Sequence, residues 1–318
     1  MRAAYLQELG TPDVIRFGEF PDPVPGPTDV LVEVHATTVN PVDTFVRSGQ
    51  FRTPLPMPFV VGRDLVGVVR TAGTSGFTPG EPVWCNSLGH AGRQGAAAQL
   101  AVVAMDRLYR LPPAVAPATA VTMVHPAGTA YLGLFTHGRL RAGETLVVAG
   151  AAGNVGAALV SMAVEAGARV VATASAADAE YCRDLGAAEV LDYRDADLAK
   201  ACPDGIDLYL DTSGRNDLET VVDLLAFRGR IVLLAGAASR PVLPAGALYM
   251  HDRTVTGFVI SHATTAELAE AAVAINRLLA AGRLRPRVTV DLPLSATAEA
   301  HRMIERGELH GRRVVLRA

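Results

Sequence analysis

A glycine-rich turn between a predicted strand and a predicted helix carries the clearest chemical signal in the sequence. The apolar run 145–149 breaks into this turn, a helix-patterned segment follows at 157–167, and a second apolar run follows at 169–173. In such a context, glycines let the backbone approach a pyrophosphate, and amides at the helix N-terminus bind its oxygens. A tight turn without a ligand is the alternative. The residues predicted to contact a dinucleotide are Gly150, Ala152, Gly153, Asn154, Val155 and Gly156.

The end of the second strand indicates which dinucleotide binds. NAD-binding turns carry a carboxylate about 20 residues further on, which holds the ribose 2′-hydroxyl. Here that strand ends at Ser175 without a carboxylate. Ser175 is small and supplies a hydroxyl donor for a 2′-phosphate. Asp178 is the nearest acid, and if it turned inward it would repel that phosphate. The sequence therefore favours NADPH over NADH and leaves the strength of the preference open.

Length and composition predict a two-domain globular protein. The chain has 318 residues, of which 50% are hydrophobic and 19% are charged, so a sizeable core is expected. The net charge of −3 and the lack of a Lys or Arg run argue against a nucleic-acid partner. Cys85, Cys182 and Cys202 are far apart, which indicates reduced thiols in a cytoplasmic protein. The glycine-rich turn interrupts the uncharged stretch 145–164, and no targeting segment is visible, so no membrane association is predicted.

The pattern along the chain predicts three blocks. Residues 1–117 show short β-rich runs separated by turn clusters, as in a small β-barrel-like domain. Residues 118–257 alternate strands with helices, as in a doubly wound parallel sheet. Residues 258–318 are expected to return and complete the first block. The strands predicted in the middle block are 145–149, 169–174, 188–192, 206–211, 230–235 and 254–258.

A series of short motifs runs from end to end of the chain. The motifs are Val39–Thr44, Pro58–Gly67, Pro126–Tyr131, Arg141–Val148, Gly153–Gly156, Leu185–Arg194, Asp207–Gly214, Gly229–Gly236 and Gly311–Leu316. In this order and spacing the chain resembles the zinc-independent medium-chain dehydrogenase/reductases, in their quinone oxidoreductase (zeta-crystallin-like) branch. The resemblance implies an α/β fold in which a Rossmann doubly wound parallel sheet is inserted into a GroES-like β-rich catalytic domain. It also implies an active site in the cleft between the two domains.

The same resemblance predicts whether the protein binds a catalytic zinc ion. Zinc-dependent relatives carry a cysteine early in the first domain and a His-Glu pair after a later glycine, and the corresponding residues here are Asn40, Arg63 and Asp64. A catalytic zinc site needs three converging Cys, His or carboxylate ligands. The remaining histidines of this region lack partners at ligand spacing. A metal-free enzyme is therefore predicted.

Without a Lewis acid to polarise a carbonyl, the predicted reaction is hydride transfer to an acceptor that is already electron-poor. Quinones, enones and enals fit, because they spread negative charge over their own conjugated system. The protein then supplies mainly positioning. The resemblance implies that Asn40 donates a hydrogen bond to substrate or ribose and that Thr129 contacts the nicotinamide carboxamide. Asn40 as a turn former and Thr129 as an ordinary helix residue are the alternatives.

The resemblance implies the remaining cofactor contacts as well. The residues expected beside the nicotinamide ribose are Gly236, Ala237, Phe258 and Val259. The residues expected at the adenosine 2′-phosphate are Ser175, Tyr193 and either Arg312 or Arg313. Packing is the alternative role of Tyr193. Asp43 is expected to brace the turn at Asn40 rather than to act in catalysis.

Three substitutions depart from the family pattern. Phe45 stands where many quinone reductases have a tyrosine, and Phe51 stands where enoyl-thioester reductases have the tyrosine thought to donate a proton. A phenyl ring cannot donate a proton, so quinone reduction is favoured over enoyl-thioester reduction. Asp178 replaces a lysine that some relatives place at the 2′-phosphate.

Two other functions stay open on the sequence. One is a reductase of a specific biosynthetic enone or enoyl thioester. The other is an NADPH-binding protein without turnover that acts as a sensor, an RNA binder or a structural protein. A homodimer is predicted in each case, because Arg253–Phe258 resembles the last strand of the sheet and an uncovered edge tends to pair.

Overall fold

The computed structural model describes residues 1–318 and divides into two compact units. The first unit comprises residues 1–125 and 264–318, and the second comprises residues 126–263. Sixteen strands and nine α-helices are present. The strands are β1 Arg2–Leu6, β2 Arg16–Glu19, β3 Asp29–Thr37, β4 Phe59–Val60, β5 Leu65–Thr71, β6 Pro82–Cys85, β7 Leu100–Ala104, β8 Tyr109–Arg110, β9 Thr145–Ala149, β10 Arg169–Ala174, β11 Glu189–Asp192, β12 Ile206–Asp211, β13 Leu225–Leu233, β14 Thr254–Gly257, β15 Thr289–Pro293 and β16 Arg313–Arg317.

The helices are α1 Pro41–Ser48, α2 Pro117–Tyr131, α3 Asn154–Glu165, α4 Ala179–Asp184, α5 Leu198–Ala201, α6 Leu218–Leu224, α7 Ala245–Tyr249, α8 Thr265–Ala280 and α9 Thr297–Glu305. Local signals set several of their ends. Thr264 and Glu267 form a reciprocal capping box at the start of α8, and Gly49 closes α1 with a left-handed backbone, both common devices at helix termini. No helix combines the length and the apolar character needed to cross a bilayer.

The second unit is built on a six-stranded sheet with the order β11-β10-β9-β12-β13-β14. Every neighbouring pair in this sheet is parallel. Its strand order reverses between β9 and β12, which is the arrangement of dinucleotide-binding Rossmann sheets. Strand β9 is buried along almost its whole length, as expected for a parallel strand covered on both faces. The predicted α/β class is confirmed.

The first unit holds two mixed or antiparallel sheets. A three-stranded sheet has the order β2-β1-β4, and a seven-stranded sheet has the order β15-β16-β3-β5-β6-β8, with β7 paired to β3. Strand β3 lies centrally because Val30, Val32 and Val34 alternate with more exposed residues and point into the same core, the spacing expected of a half-buried strand. Strand β16 lies between β15 and β3.

The unit boundaries differ from those predicted from the sequence. The sequence pattern predicts residues 118–125 as part of the Rossmann domain, but they belong to the first unit, because side chains of that unit bind the first half of α2. Asn86 donates to the carbonyl oxygen of Val124 at 3.0 Å, and Arg313 donates to the carbonyl oxygen of Thr122 at 3.1 Å. Residues 258–263 belong to the second unit, where Phe258 stacks on His137 with ring centroids 4.2 Å apart.

Candidate active site

The glycine-rich turn after β9 is shaped by two close approaches. Gly150 has a positive φ of 80°, and a Cβ atom there would lie 2.7 Å from the Thr212 hydroxyl oxygen. A Cβ atom on Gly156 would lie 2.2 Å from the Gly150 carbonyl oxygen. Such distances leave no room for a side chain, so helix α3 packs on the turn as the glycine pattern predicted.

The N-terminus of α3 presents backbone donors. Gly153 is the N-cap residue, and no side chain caps the helix. The first N–H groups of an α-helix have no intrahelical partner. Gly153 and Asn154 are exposed, while Ala152 and Val155 are half-buried. This helix end can therefore bind an anion through its amides.

Two loops at the carboxyl edge of the sheet are fixed by one buried carboxylate. Asp211, at the end of β12, is fully buried and accepts hydrogen bonds from the N–H groups of Ser213, Gly214 and Asn216. The Asn216 amide in turn donates to the carbonyl oxygen of Ala235 at 3.1 Å. Gly236, which follows β13, has a positive φ of 85°. The hydrogen bond from Asn216 to Ala235 thus stabilises the loop that is predicted to bind the nicotinamide ribose.

The end of β10 differs from the simplest expectation. The Ser175 hydroxyl donates to Asp178 at 2.7 Å, and Asp178 is buried. Asp178 has therefore turned inward, the orientation that the sequence left open. The Ser175 hydrogen that we expected to serve a 2′-phosphate is committed to this carboxylate, and the Ser175 oxygen keeps only its acceptor capacity.

Two guanidinium groups flank Tyr193 at the end of β11. Arg194 lies 4.9 Å and Arg215 lies 4.7 Å from the centroid of the Tyr193 ring. Arg194 is paired with Asp192 at 3.2 Å. Arg215 instead donates to the carbonyl oxygen of Tyr193 at 3.3 Å and has no carboxylate partner. The sequence motifs did not identify Arg215, because it follows the β12 loop and only the fold brings it to β11.

Segment 126–138 approaches the same sheet edge. Arg230 donates to the Gly138 carbonyl oxygen at 2.9 Å, and a Cβ atom on Gly133 would lie 3.4 Å from Leu210 and 3.7 Å from Phe258. These contacts place Gly133 and Gly138 against the second unit's sheet. Thr129, four residues before Gly133, is half-buried, and its contact with the nicotinamide stays a prediction. Val259 is 39% exposed, and its cofactor contact, like that of Ala237, stays a prediction.

The first unit contains a buried polar cluster around Asn40. Its amide nitrogen donates to Asp64 at 2.7 Å, and its amide oxygen accepts from Arg313 at 2.9 Å. Its backbone N–H donates to Asp43 at 2.7 Å, so Asp43 braces this turn as expected. Asn40 is 2% exposed. Both ends of its amide are engaged within the protein, which favours the alternative role of a turn former over direct donation to substrate.

Arg313 requires a correction. We expected Arg312 or Arg313 to approach a 2′-phosphate, but Arg313 is 4% exposed and its guanidinium serves Asn40 and Thr122. No local pattern predicts this contact, because positions 40 and 313 are far apart in the chain. Arg312 is exposed, and its role stays a prediction.

Electrostatics in this cluster are dominated by burial. Burial raises the pKa of Asp43 to about 6, although Arg63 opposes the shift. Burial lowers the pKa of the Arg63 guanidinium, against the attraction of Asp43 and Asp64. Arg63 lies 3.9 Å from Asp43 and is 1% exposed. A cationic side chain thus occupies the position that corresponds to a histidine in zinc-dependent relatives.

Other residues singled out in the sequence lie in the first unit. Phe51 donates its backbone N–H to the carbonyl oxygen of Phe45, and the Arg63 guanidinium lies 5.9 Å from the Phe51 ring. His125 contacts Asp64, with Nδ1 at 3.1 Å from a carboxylate oxygen.

No cluster of three or more His, Cys, Asp or Glu side chains in the structure is arranged to hold a metal ion.

Comparison with known proteins agrees with this architecture. Residues 26–113 match the alcohol dehydrogenase GroES-like domain, and residues 154–276 match the zinc-binding dehydrogenase family. Quinone oxidoreductase of Mus musculus is 29% identical, with 96% of this chain and 95% of the relative covered. Quinone oxidoreductase of Pseudomonas aeruginosa is 30% identical, with 96% and 97% covered.

Solved structures give the same result. An NAD-dependent alcohol dehydrogenase is 30% identical with a TM-score of 0.88, and a mycobacterial protein complexed with NADPH is 26% identical with a TM-score of 0.86. Both similarities cover 100% of this chain and 100% of the other.

Proposed function

This chain belongs to the medium-chain dehydrogenase/reductase family, in its quinone oxidoreductase branch, and we propose that it is an NADPH-dependent reductase of quinones or activated α,β-unsaturated carbonyls. The observation that carries the proposal is the glycine-rich turn at the N-terminus of α3, which lies at the carboxyl edge of the parallel sheet where the strand order reverses. Ligands of such sheets bind at this edge.

The residues present fit a dinucleotide. Gly153 leaves the space beside the first amides of α3 without a side chain, and Gly150 and Gly156 let the turn and the helix pack closely, which suits a pyrophosphate. Gly236 and Ala237 are proposed to bind the nicotinamide ribose through their backbone, with Phe258 and Val259 nearby. Thr129 is proposed to contact the nicotinamide carboxamide. When bound, the cofactor supplies a hydride, and the protein supplies orientation and exclusion of water.

We propose that the reaction needs no zinc. The set of donors around Asn40 consists of two carboxylates, one amide, two guanidinium groups and one imidazole. The guanidinium groups of Arg63 and Arg313 already balance the charges of Asp43 and Asp64, and they would repel a divalent cation. Conjugated acceptors suit such a site, because their own π system delocalises the charge that a metal would otherwise stabilise.

The proposed preference for NADPH rests on Arg215 and Tyr193. Arg215 brings a charge to the end of β11 that no carboxylate neutralises, whereas the charge of Arg194 is paired with Asp192. Arginine forms strong charge-assisted hydrogen bonds to phosphate. The buried carboxylate of Asp178 opposes this attraction, and Asp192 already pairs with Arg194, so the preference depends mainly on the unpaired charge of Arg215.

The Arg215→Ser substitution is expected to raise the Kd for NADPH about tenfold or more and to leave the Kd for NADH within about twofold. The loss of one charge-assisted bond to a phosphate is worth about 1.5–3 kcal/mol. Fluorescence titration of both nucleotides measures the effect. Arg228→Ser is the matched control, because Arg228 is 73% exposed and stacks on Phe227 instead. Equal weakening of NADH and NADPH would remove Arg215 from the phosphate site.

The function itself is tested by following NADPH oxidation with a quinone, an enone, an enal and an enoyl thioester in turn. Turnover with quinone or with enone and enal is the expected result. Turnover with the thioester alone would favour a reductase of a specialised pathway. Tight NADPH binding with no turnover on any acceptor would favour the non-catalytic sensor or structural protein.

We also propose that the protein is a cytoplasmic homodimer. All three cysteines are buried and none forms a disulfide, which suits a reducing compartment. Strand β14 is an edge strand, and exposed apolar side chains lie near it in the chain, among them Tyr249 (72% exposed) and Met250 (71%). Light scattering is expected to give twice the chain mass. A Met250→Glu variant is expected to shift the mass toward the monomer, and a monomeric wild type would reject the dimer.

A further inference from the structure

We infer that the acceptor carries a carboxylate and that Arg93 binds this group. The inference rests on the proposed function and narrows its class of acceptor to conjugated carbonyl compounds with an anionic group away from the reacting double bond. Arg93 lies in segment 87–95 of the first unit. All residues that carry the inference belong to that unit.

Segment 87–95 packs directly on the buried polar cluster around Asn40. The N–H group of Leu88 donates to the carbonyl oxygen of Arg63 at 3.1 Å. A Cβ atom on Gly89 would lie 2.5 Å from the carbonyl oxygen of the residue before Arg63, so the two backbones are in contact. A group bound by this segment therefore lies beside the cluster that is proposed to suit conjugated acceptors.

The same segment orients the guanidinium group of Arg93. Its Nε and Nη2 donate to the carbonyl oxygen of Ser87 at 3.3 and 3.2 Å, and Nη2 also lies 3.0 Å from Nε2 of His90. A guanidinium group has five N–H donors. These contacts engage the donors of Nε and Nη2, so both N–H groups of Nη1 are left for a ligand. Arg93 is half-buried, which leaves part of its side chain accessible.

Arg93 has no counter-ion. Its contacts are a carbonyl oxygen and an imidazole, and neither neutralises its charge as a carboxylate would. Burial lowers the pKa of the Arg93 guanidinium, and repulsion from Arg107 and Arg63 adds to this effect. A partly desolvated cation without a counter-ion is unfavourable. A carboxylate at Nη1 offsets that cost and gains charge-assisted hydrogen bonds.

The charge balance indicates a monoanion. Within the cluster, the carboxylates of Asp43 and Asp64 attract two buried guanidinium groups, those of Arg63 and Arg313. The positive charge of Arg93 comes in addition to this balanced set. One carboxylate neutralises it, whereas a phosphate dianion would bring a surplus negative charge that Asp43 and Asp64 repel. Nη2 of Arg63 is also buried without a hydrogen-bond partner.

The test compares two acceptors with the same enone, both offered with NADPH. One is methyl vinyl ketone with a propanoate group on its β-carbon, and the other is the methyl ester of that compound. The methylene groups of the propanoate separate the carboxylate from the double bond, so the intrinsic reactivity of the two enones is similar. We expect wild type to show a kcat/KM about tenfold or more higher for the carboxylate, mainly through a lower KM.

The Arg93→Gln substitution is expected to remove this preference. We expect its kcat/KM for the carboxylate to fall about tenfold or more and that for the ester to stay within about twofold. Arg93→Lys retains the charge and is expected to keep part of the preference. Arg16→Gln is the matched control, because Arg16 is an exposed arginine on β2 of the same unit, and we expect it to keep the full preference.

A binding measurement tests the site without turnover. The saturated keto acid with the same carbon skeleton is titrated into each protein and followed by ligand-observed NMR. We expect it to bind wild type and to bind the Arg93→Gln protein about tenfold or more weakly. Equal kcat/KM for carboxylate and ester in wild type would overturn the inference and leave the proposed function intact. No turnover of either acceptor would instead reject the proposed function, and the NMR titration would then decide whether Arg93 binds a carboxylate.

Discussion

The Gly153→Leu substitution is expected to weaken NADPH binding by at least about a hundredfold while leaving the fold intact. Gly153 has an ordinary φ of −70°, and the nearest atom to an added Cβ would be the Gly150 carbonyl oxygen at 3.3 Å. A side chain here therefore projects into the space in front of the α3 amides. Two lost hydrogen bonds to a charged pyrophosphate account for about 3–6 kcal/mol. Titration with NADPH and thermal unfolding of the unliganded protein measure the two effects.

Substitutions at two other glycines serve as a control and a comparison for this experiment. Gly246→Leu is the control, because a Cβ there meets nothing within 4 Å, and we expect unchanged NADPH binding. Gly156→Ala is expected to destabilise the unliganded protein itself, since its Cβ would lie 2.2 Å from a backbone oxygen. NADPH affinity within threefold of wild type in the Gly153→Leu protein would show that the cofactor does not bind at this turn.

The second large effect is expected at His301, where the His301→Phe substitution should stabilise the protein increasingly as the pH falls. His301 is fully buried, and neither ring nitrogen has a hydrogen-bond partner. Burial, with a smaller contribution from Arg47, lowers the pKa of His301 to about 3. Removing two unsatisfied buried nitrogens is expected to stabilise the protein at pH 7 by about 1 kcal/mol.

The sign of the pH dependence follows from which state binds the proton. Below the ordinary histidine pKa of 6.5, the unfolded chain is protonated at His301 and the folded protein is not. Wild type therefore loses about 1.4 kcal/mol of stability per pH unit at this residue as the pH falls toward the folded pKa. By pH 4 the advantage of the variant should have grown by about 3 kcal/mol.

The titration of Asp43 changes the stability with pH in the opposite direction to that of His301. For this reason the quantity to measure is the difference in unfolding free energy between wild type and the His301→Phe variant. The folded pKa of Asp43, about 6, exceeds the ordinary value of 3.8, so the folded state takes up this proton first and gains stability as the pH falls between those values. The gain is common to both proteins and cancels in their difference. Urea unfolding between pH 4 and pH 8 supplies the data, with His251→Phe as an exposed control. A difference that does not vary with pH would contradict the prediction.

The part of the fold that the sequence predicted best is the one governed by short-range patterns. The bounds of β9, β10 and β12 match the predicted runs 145–149, 169–174 and 206–211, because buried parallel strands are continuous apolar segments. Strand β13 begins at Leu225 rather than at 230. Arg228 has a positive φ of 62°, which is a backbone conformation typical of turns. The chain nevertheless continues beside β12 on both sides of this residue.

The candidate site was less accessible to sequence reasoning wherever its residues are distant in the chain. The glycine-rich turn is local, and its shape follows from Gly150 and Gly156. The contact between Arg313 and Asn40 joins residues 273 positions apart, and no periodicity or motif encodes it. The inward rotation of Asp178 was likewise undetermined, because a short segment between a strand and a helix can point either way until packing decides.

The placement of β16 has a consequence for how the chain is made on the ribosome. This strand is the last of the sixteen to be synthesised, yet it lies inside its sheet between β15 and β3, and it carries Arg313. The second unit is one continuous segment and is complete well before β16 emerges. During translation the nucleotide-binding unit can thus fold first. Strand β3 can pair early with β5 and β7, but the partner of its end at Ala36 and Thr37 is more than two hundred residues away in the chain.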